Sequence, residues 1–196
     1  FALRTRNRRN TYPPPGTGCK PPAVAGSSAP MTTPNLTLQV DRARHAESRI
    51  REQAMPALAA DHVRFRIERF AVTANTVTYA TTGDQLGYWD FFPTGESGWG
   101  CVPAMGWAEI VESRHPGVPV GGRYYGWYPM ARYVDMAVTP TADGVRDDGP
   151  HRAAHASVYR AYVATDRDPF HQRWWMTYAI PSRIPVMGST YWVKKN

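Results

Sequence analysis

Residues 63–83, VRFRIERFAVTANTVTYATTG, join a strand pattern directly to a short helix pattern. Val63, Phe65 and Ile67 alternate with polar residues, and side chains alternate across a strand, so these three share one half-buried face. The pattern of residues 76–82 then predicts a short helix that ends at Gly83 in the left-handed conformation. This segment therefore predicts a core strand that leads straight into a helix.

Further strand patterns on either side of this segment predict a mainly β fold. Apolar and polar residues alternate at residues 36–40, and Val134, Met136 and Val138 share one face of another pattern. Links rich in glycine and proline separate these short patterns, as in a barrel or a sandwich. The remaining strand patterns lie at residues 107–112 and 123–128.

Two other segments predict helices, and one predicts a loop. Residues 42–55 mix Ala, Arg and Glu, which have good helix propensity. In residues 146–173, Ala154, Val158 and Tyr162 recur at four-residue spacing, which is typical of one helix face. Glycine-rich residues 84–101 predict a long loop.

The net charge of +7 is concentrated at the two ends of the chain. Residues 1–30 carry five basic residues and no acid, residues 183–196 carry three basic residues, and residues 31–182 carry 15 basic and 16 acidic ones. Since the middle has no patterned basic patch, we expect no nucleic-acid partner. Residues 1–30 lack apolar periodicity and predict a disordered arm, and we interpret Met31 as the natural start.

Neither the apolar content nor the cysteines indicate export or a membrane. No run approaches the ~20 apolar residues that span a bilayer, and no apolar signal segment follows Phe1. Cys19 and Cys101 lack the spacing of metal ligands, so we interpret them as free thiols. We expect a cytoplasmic protein without a membrane partner.

Four phrases of the sequence carry a family resemblance. They are Thr73-Ala74-Asn75, Gly87-Tyr88-Trp89, Arg114-His115-Pro116-Gly117-Val118 and Asp168-Pro169-Phe170-His171-Gln172. They resemble a bacterial family, domain of unknown function 2855, over about residues 36–173. Segment 65–83, Gly106, Glu109 and Gly121-Gly122-Arg123 are in turn similar to the medium-chain dehydrogenase/reductase superfamily, which includes quinone oxidoreductases.

The resemblance implies a two-domain reductase of which this chain is the front half. Residues 31–145 would form its GroES-like, partly open β-barrel, and residues 146–173 would lead toward a Rossmann domain that binds NAD(P). The chain ends before such a domain, and residues 174–196 depart from the family pattern. We interpret this as a frameshift or a fragment end, and expect the chain alone to be inactive.

Candidate site residues also follow from the resemblance. Tyr79 matches a substrate-pocket tyrosine of quinone-reductase relatives, where a phenol orients a carbonyl or supplies a proton. Asn75 lies within one position of an asparagine that relatives place near the nicotinamide. Thr76, Tyr88 and Trp89 are the candidate substrate-binding residues. Structural alternatives stay open: Asn75 as a helix cap, and the aromatic side chains as core packing.

A metal site is not expected. Residues 74–75 stand where zinc-dependent relatives carry a cysteine ligand, so the resemblance implies a zinc-free site. His151 and His155 lie four residues apart without a third ligand at a suitable spacing, which favours a solvated helix face. Glu109 and Glu112, three apart on one strand, are predicted to face opposite sides and not to form an acid–base pair.

Two classes of function remain open. The first is the substrate-binding half of a zinc-free, NAD(P)H-dependent quinone or enone reductase, acting on a small apolar carbonyl or quinone-like substrate. The alternative is a stand-alone barrel that binds a small apolar ligand without catalysis. A homodimer is left open.

Overall fold

The computed structural model describes residues 33–168 and 191–194. The predicted disordered arm, Cys19 and most of residues 174–196 lie outside the described residues. The strands are β1 Asn35–Asp41, β2 Ser48–Gln53, β3 His62–Val72, β4 Trp99–Gly100, β5 Pro103–Ser113, β6 Gly121–Pro129, β7 Tyr133–Pro140, β8 Gly144–Asp147, β9 Ala161–Ala164 and β10 Tyr191–Lys194. The helices are α1 Ala74–Thr81 and α2 Gly83–Leu86, with 3-10 turns at Tyr88–Phe91, Pro150–Arg152 and Ser157–Tyr159.

Six antiparallel strands form a closed barrel. Their order around the ring is β3, β5, β6, β9, β8 and β7. Strand β7 then pairs again with β3, from His62 opposite Ala137 to Arg66 opposite Tyr133. The predicted mainly β barrel with short helices is confirmed, but this last pairing closes the ring, so the barrel is not partly open as expected.

The apolar face of β3 lies at the centre of the core. Val63, Phe65 and Ile67 are each at most 2% exposed, as their alternation predicts. The ring of Phe65 lies 5.7 Å from that of Tyr128 and 5.8 Å from that of Tyr162. Burial of such a side chain stabilises a fold by about 1.5–3 kcal/mol, so this face holds the barrel strands together.

Arg64, on the other face of β3, is 1% exposed and connects three strands. Its guanidinium donates to both oxygens of Asp135 on β7, at 2.7 and 2.8 Å, and to Glu112 on β5 at 2.8 Å. A fourth hydrogen bond, of 2.7 Å, reaches the Pro56 carbonyl. A buried cation needs such acceptors to offset its lost hydration, so the two sides of the ring closure are tied together at Arg64.

An irregular register in β5 corrects the predicted orientation of Glu109 and Glu112. Glu112 pairs with Arg64, but the next residue of β3 pairs with Ile110, so one extra residue bulges from β5. Glu109 forms an ion pair with Arg66. Arg64 and Arg66 share one face of β3, so both carboxylates point to that face, and the prediction of opposite faces is wrong.

A second, three-stranded sheet lies beside the barrel in the order β2, β1, β4. The helix predicted over residues 42–55 is wrong, because most of that segment is a turn after Asp41 and strand β2, paired along β1. Pairing across the sheet overrides a weak helix propensity. Backbone hydrogen bonds from Leu38 to Met130 and from Arg132 to Leu36, each of 2.9 Å, attach β1 to the barrel.

The helix predicted within residues 146–173 is also wrong. Two 3-10 turns replace it, and strand β9 follows, paired with β6 and β8. Tyr162 is 1% exposed in the barrel core, whereas Val158 is 68% exposed, so their four-residue spacing does not mark a common face. The barrel therefore continues to Ala164 and passes the predicted boundary at residue 145.

In the helical segment after β3, the glycine that adopts the left-handed conformation is not the predicted one. Gly83 does not end α1 in the left-handed conformation, but begins α2, and Gly87, with φ of 70°, ends α2. The indole of Trp89 lies directly on Gly83, where any side chain would overlap it. Residues 84–101, predicted as a loop, contain this helix, a 3-10 turn and β4.

Strand β10 pairs with the end of β3, from Tyr191 opposite Val72 to Lys194 opposite Arg69. No helix among the described residues is long and apolar enough to cross a membrane.

Replacing Asp135 by alanine is expected to lower the free energy of unfolding by about 3–5 kcal/mol, because it removes two hydrogen bonds from a buried cation. The matched change Glu109→Ala removes the partner of Arg66, which is half exposed, and should cost about 0–1 kcal/mol. Urea unfolding followed by tryptophan fluorescence measures both. Equal losses for the two variants would contradict the role assigned to Arg64.

Candidate functional site

Helix α1 begins directly after β3 and carries three of the five candidate residues. Thr73 is its N-cap, and the Thr73 backbone N–H donates to the Thr76 hydroxyl oxygen at 3.0 Å. Thr76 is buried and so helps to fix the start of the helix. Asn75 lies within the first turn, so the cap role considered for it belongs to Thr73 instead.

Five aromatic side chains form a cluster where α1 and the 3-10 turns meet the barrel. The ring of Tyr79 lies 4.8 Å from that of Tyr88 and 4.9 Å from that of Trp127. Trp127 also lies 4.4 Å from Tyr159 and 5.3 Å from Phe91. These distances are typical of attractive ring contacts. We call these residues, Tyr79, Tyr88, Phe91, Trp127 and Tyr159, the aromatic cluster.

Burial in the cluster changes the acidity of its phenols. It raises the pKa of Tyr79 to about 12, with smaller contributions in the same direction from Tyr159 and Tyr88. Burial, followed by Tyr159, also raises the pKa of Tyr88. Both phenols therefore stay protonated at neutral pH and can donate a hydrogen bond.

The structure brings together Asn75 and Tyr79, the two candidate catalytic residues. They lie four residues apart on α1, a spacing that places side chains on one helix face. A hydrogen bond from the Asn75 side chain lowers the pKa of Tyr79 and partly opposes the effect of burial. Both residues remain partly accessible to solvent, so an outside molecule can approach the phenol.

Trp89 does not join the aromatic cluster. It is 4% exposed in a second core cluster with Val40, Ala80 and Val102. Its ring packs on Gly83 and Gly100, and its indole nitrogen Nε1 is buried without a hydrogen-bond partner among the described residues. The placement favours core packing for Trp89, whereas its neighbour Tyr88 faces Tyr79.

Three members of the cluster were not singled out from the sequence. Phe91 and Trp127 fall within residues 84–133, which hold 11 of the 24 aromatic residues, and this enrichment indicated their region but not their roles. Tyr159 comes from a segment predicted to be a helix, so nothing in the sequence indicated that it reaches Trp127. His155 was predicted to lie on a solvated helix face. Instead it stacks on Phe91, with ring centroids 4.1 Å apart.

Neither a metal nor a dinucleotide finds an evident site in the described part of the chain. Within residues 33–168 and 191–194, no three His, Cys, Asp or Glu side chains lie close enough to hold a metal ion. The junction of β3 and α1 consists of Thr73 and the first helical residues Ala74 and Asn75, and it lacks the glycines that let a pyrophosphate approach a helix N-terminus. This junction therefore does not match a dinucleotide-binding turn. The zinc-free site remains a prediction. Cys101 is a buried free thiol, and burial raises its pKa to about 12.

A family model described as "Protein of unknown function (DUF2855)" matches residues 70–195. The chain belongs to this family. The family expected from the sequence phrases is therefore confirmed, and α1 with all five candidate residues lies inside the match. One expectation is wrong: residues 174–196 do not depart from the DUF2855 pattern, because the match continues through residue 195.

Solved structures similar to this DUF2855 chain cover about 60–65% of it. CurA from Vibrio vulnificus matches at 10% identity with a TM-score of 0.41, and the quinone oxidoreductase from Coxiella burnetii at 11% with 0.36. The human synaptic vesicle membrane protein VAT-1 homolog-like protein matches at 14% with 0.35. The chain spans 35%, 40% and 36% of these structures, respectively. No curated protein matches the chain significantly.

Removal of the Asn75 amide is expected to raise the pKa of Tyr79 further, because that side chain opposes the effect of burial. The pKa of Tyr79 in the folded state is higher than the ordinary value of 10. Tyr79 therefore stabilises the fold below pH 10, and this contribution is lost as the pH rises through about 12. NMR titration of labelled tyrosine rings in Asn75→Ala measures the shift. Thr81→Ala, an exposed change on the same helix, is the control, and an unchanged or lower pKa in Asn75→Ala would contradict the contact.

Proposed function

We propose that this chain is the substrate-binding half of a zinc-free, NAD(P)H-dependent quinone or enone reductase. The observation that carries the proposal is the position of Tyr79, which packs against Tyr88 and Trp127 in the aromatic cluster while remaining partly accessible to solvent, one helical turn from Asn75. The sequence resemblance supports it as well, since Tyr79 matches a substrate-pocket tyrosine of quinone-reductase relatives.

Tyr79 acts on the substrate by donating a hydrogen bond to its carbonyl oxygen. Such a bond stabilises negative charge that develops on that oxygen during reduction. Asn75 is a positioning residue, because its amide contacts the phenol one helical turn away. The flat ring of a quinone or enone packs against Tyr88 and Trp127, which lie within 5 Å of Tyr79 by ring centroids.

The cofactor is not assigned to the described residues. NAD(P)H supplies hydride in enzymes of this kind, and its site would lie in another part of the protein. The residues described therefore bind and orient the acceptor. Thr76 and Trp89 act indirectly in this scheme, since one fixes the start of α1 and the other anchors the turn that carries Tyr88.

The proposal is tested by calorimetric titration of the chain with menadione, a small flat quinone. Tyr79→Phe keeps the ring but removes the hydroxyl, so menadione is expected to bind about 3- to 10-fold more weakly, as for the loss of one hydrogen bond. Tyr124→Phe, which removes another half-buried phenol hydroxyl on the barrel, is the matched control and should bind like the unmodified chain.

Each other outcome has a definite meaning. Binding that is equally strong in Tyr79→Phe would contradict the role of Tyr79 and favour the alternative, a barrel that holds an apolar ligand without catalysis. Oxidation of NADPH by this chain alone, with menadione as acceptor, would contradict the assignment to one half of an enzyme. Absence of menadione binding would overturn both.

A further inference from the structure

A cavity of about 440 Å³ lies away from Tyr79, between β1 and the wall of the barrel. Strand β1 forms one side through Asn35, Thr37 and Gln39, and the barrel forms another through residues near Ala131. Phe91 belongs to the aromatic cluster, where it contacts Trp127, and it also lines the cavity, so it connects the two regions. Tyr79, Asn75 and Tyr88 do not line it.

The side of β1 that faces the cavity is polar, although it is the more buried side. Thr37 is 8% exposed and Gln39 is 1% exposed, whereas Leu36 and Leu38 are only partly buried. An ordinary half-buried strand shows the opposite arrangement, with apolar residues on the inner face. The buried face of β1 therefore presents polar side chains to the cavity.

Two of these polar groups are left without hydrogen-bond partners. The Asn35 amide is satisfied at both ends by the Tyr133 backbone, at 2.9 and 3.0 Å. Gln39 Oε1 accepts from Arg49 Nε at 2.9 Å, which fixes the amide orientation because arginine can only donate. Among residues 33–168, neither the Gln39 amide nitrogen nor the Thr37 hydroxyl has a partner. Both donors are accessible from the cavity, so an occupant with an acceptor atom can take their hydrogen bonds.

The charged groups at the cavity are already neutralised by neighbours. Arg152 is 3% exposed and forms an ion pair with Asp147. Asp135 is held by Arg64. Burial, and next the Arg152 cation, lower the pKa of His151, so its ring is uncharged at pH 7. An ionic ligand would meet no unpaired opposite charge among these residues, which favours a neutral one.

Apolar side chains complete the cavity wall. Met55, Phe91, Phe92 and Ala131 are all buried and line it. The volume lies within the range of cavities that hold small organic ligands, and the mixture of apolar wall and few polar groups is typical of such sites.

We propose that this cavity binds a small neutral molecule with an apolar body and a carbonyl oxygen. The carbonyl oxygen accepts hydrogen bonds from the Thr37 hydroxyl and the Gln39 amide nitrogen, and the body packs against Met55 and Phe91. The site is separate from the one around Tyr79, and this inference does not rest on the proposed function.

In the test, the full chain carries isotope-labelled methionine methyl groups and is titrated separately with α-tetralone and with tetralin. Tetralin has the same ring system without the carbonyl. The Met55 methyl signal, assigned through Met55→Leu, reports occupancy of this cavity by NMR. We expect α-tetralone to shift it in a saturable manner and to bind more tightly than tetralin. Thr37→Val preserves the shape of the side chain and should weaken α-tetralone binding about 3- to 10-fold, without changing tetralin binding.

Two variants secure the interpretation. Thr141→Val, an exposed change on the barrel, should bind α-tetralone like the unmodified chain. Ala131→Leu reduces the cavity and should weaken both probes, which keeps the proposal testable if Thr37→Val does not fold. No saturable shift of Met55, equal affinity for the two probes, or equal α-tetralone affinity in folded Thr37→Val would each overturn the proposal. A failed NADPH or menadione assay would leave it standing, since neither reagent enters this experiment.

Discussion

The buried guanidinium of Arg64 connects the strands between which the barrel closes. It lies on β3 and binds a carboxylate on β7 and another on β5, so it spans both neighbours of the same strand. A cation at this depth is stable only while its acceptors stay in place, which makes the spacing of the three strands interdependent. The position of β3 then fixes the start of α1, and through α1 the position of Tyr79 over Trp127.

The strands that could be predicted from the sequence are those whose inner face is apolar. Val63, Phe65 and Ile67 show period-two alternation because only one side of β3 enters the core. Strand β2 has no such face, since its pairing with β1 is its main contact, and its residues are mostly exposed. Its helix-forming composition therefore misled the prediction. The segment before β9 misled it for another reason, because Val158 and Tyr162 belong to different elements that happen to be four residues apart.

The candidate site could be predicted only as far as its residues are neighbours in sequence. Asn75 and Tyr79 share a helix, so their contact follows from helical spacing. Tyr159 reaches Trp127 only because β9 inserts between β6 and β8, a pairing that no local pattern reveals. Trp89 was assigned to the same pocket as Tyr88, but adjacent residues in a 3-10 turn point in different directions. The burial of the polar face of β1 could not be predicted either, because the alternation of apolar and polar residues is the same whichever side faces the interior.

Strand β10 covers an edge of β3 that the barrel leaves open. Strand β7 pairs with this edge from His62 to Arg66, and β10 pairs with it from Arg69 to Val72, so the two together occupy most of its length. An uncovered strand edge offers free N–H and C=O groups to strands of other molecules. A chain that loses residues 191–194 would thus expose unpaired backbone N–H and C=O groups of β3, a template for edge-to-edge pairing, immediately beside α1.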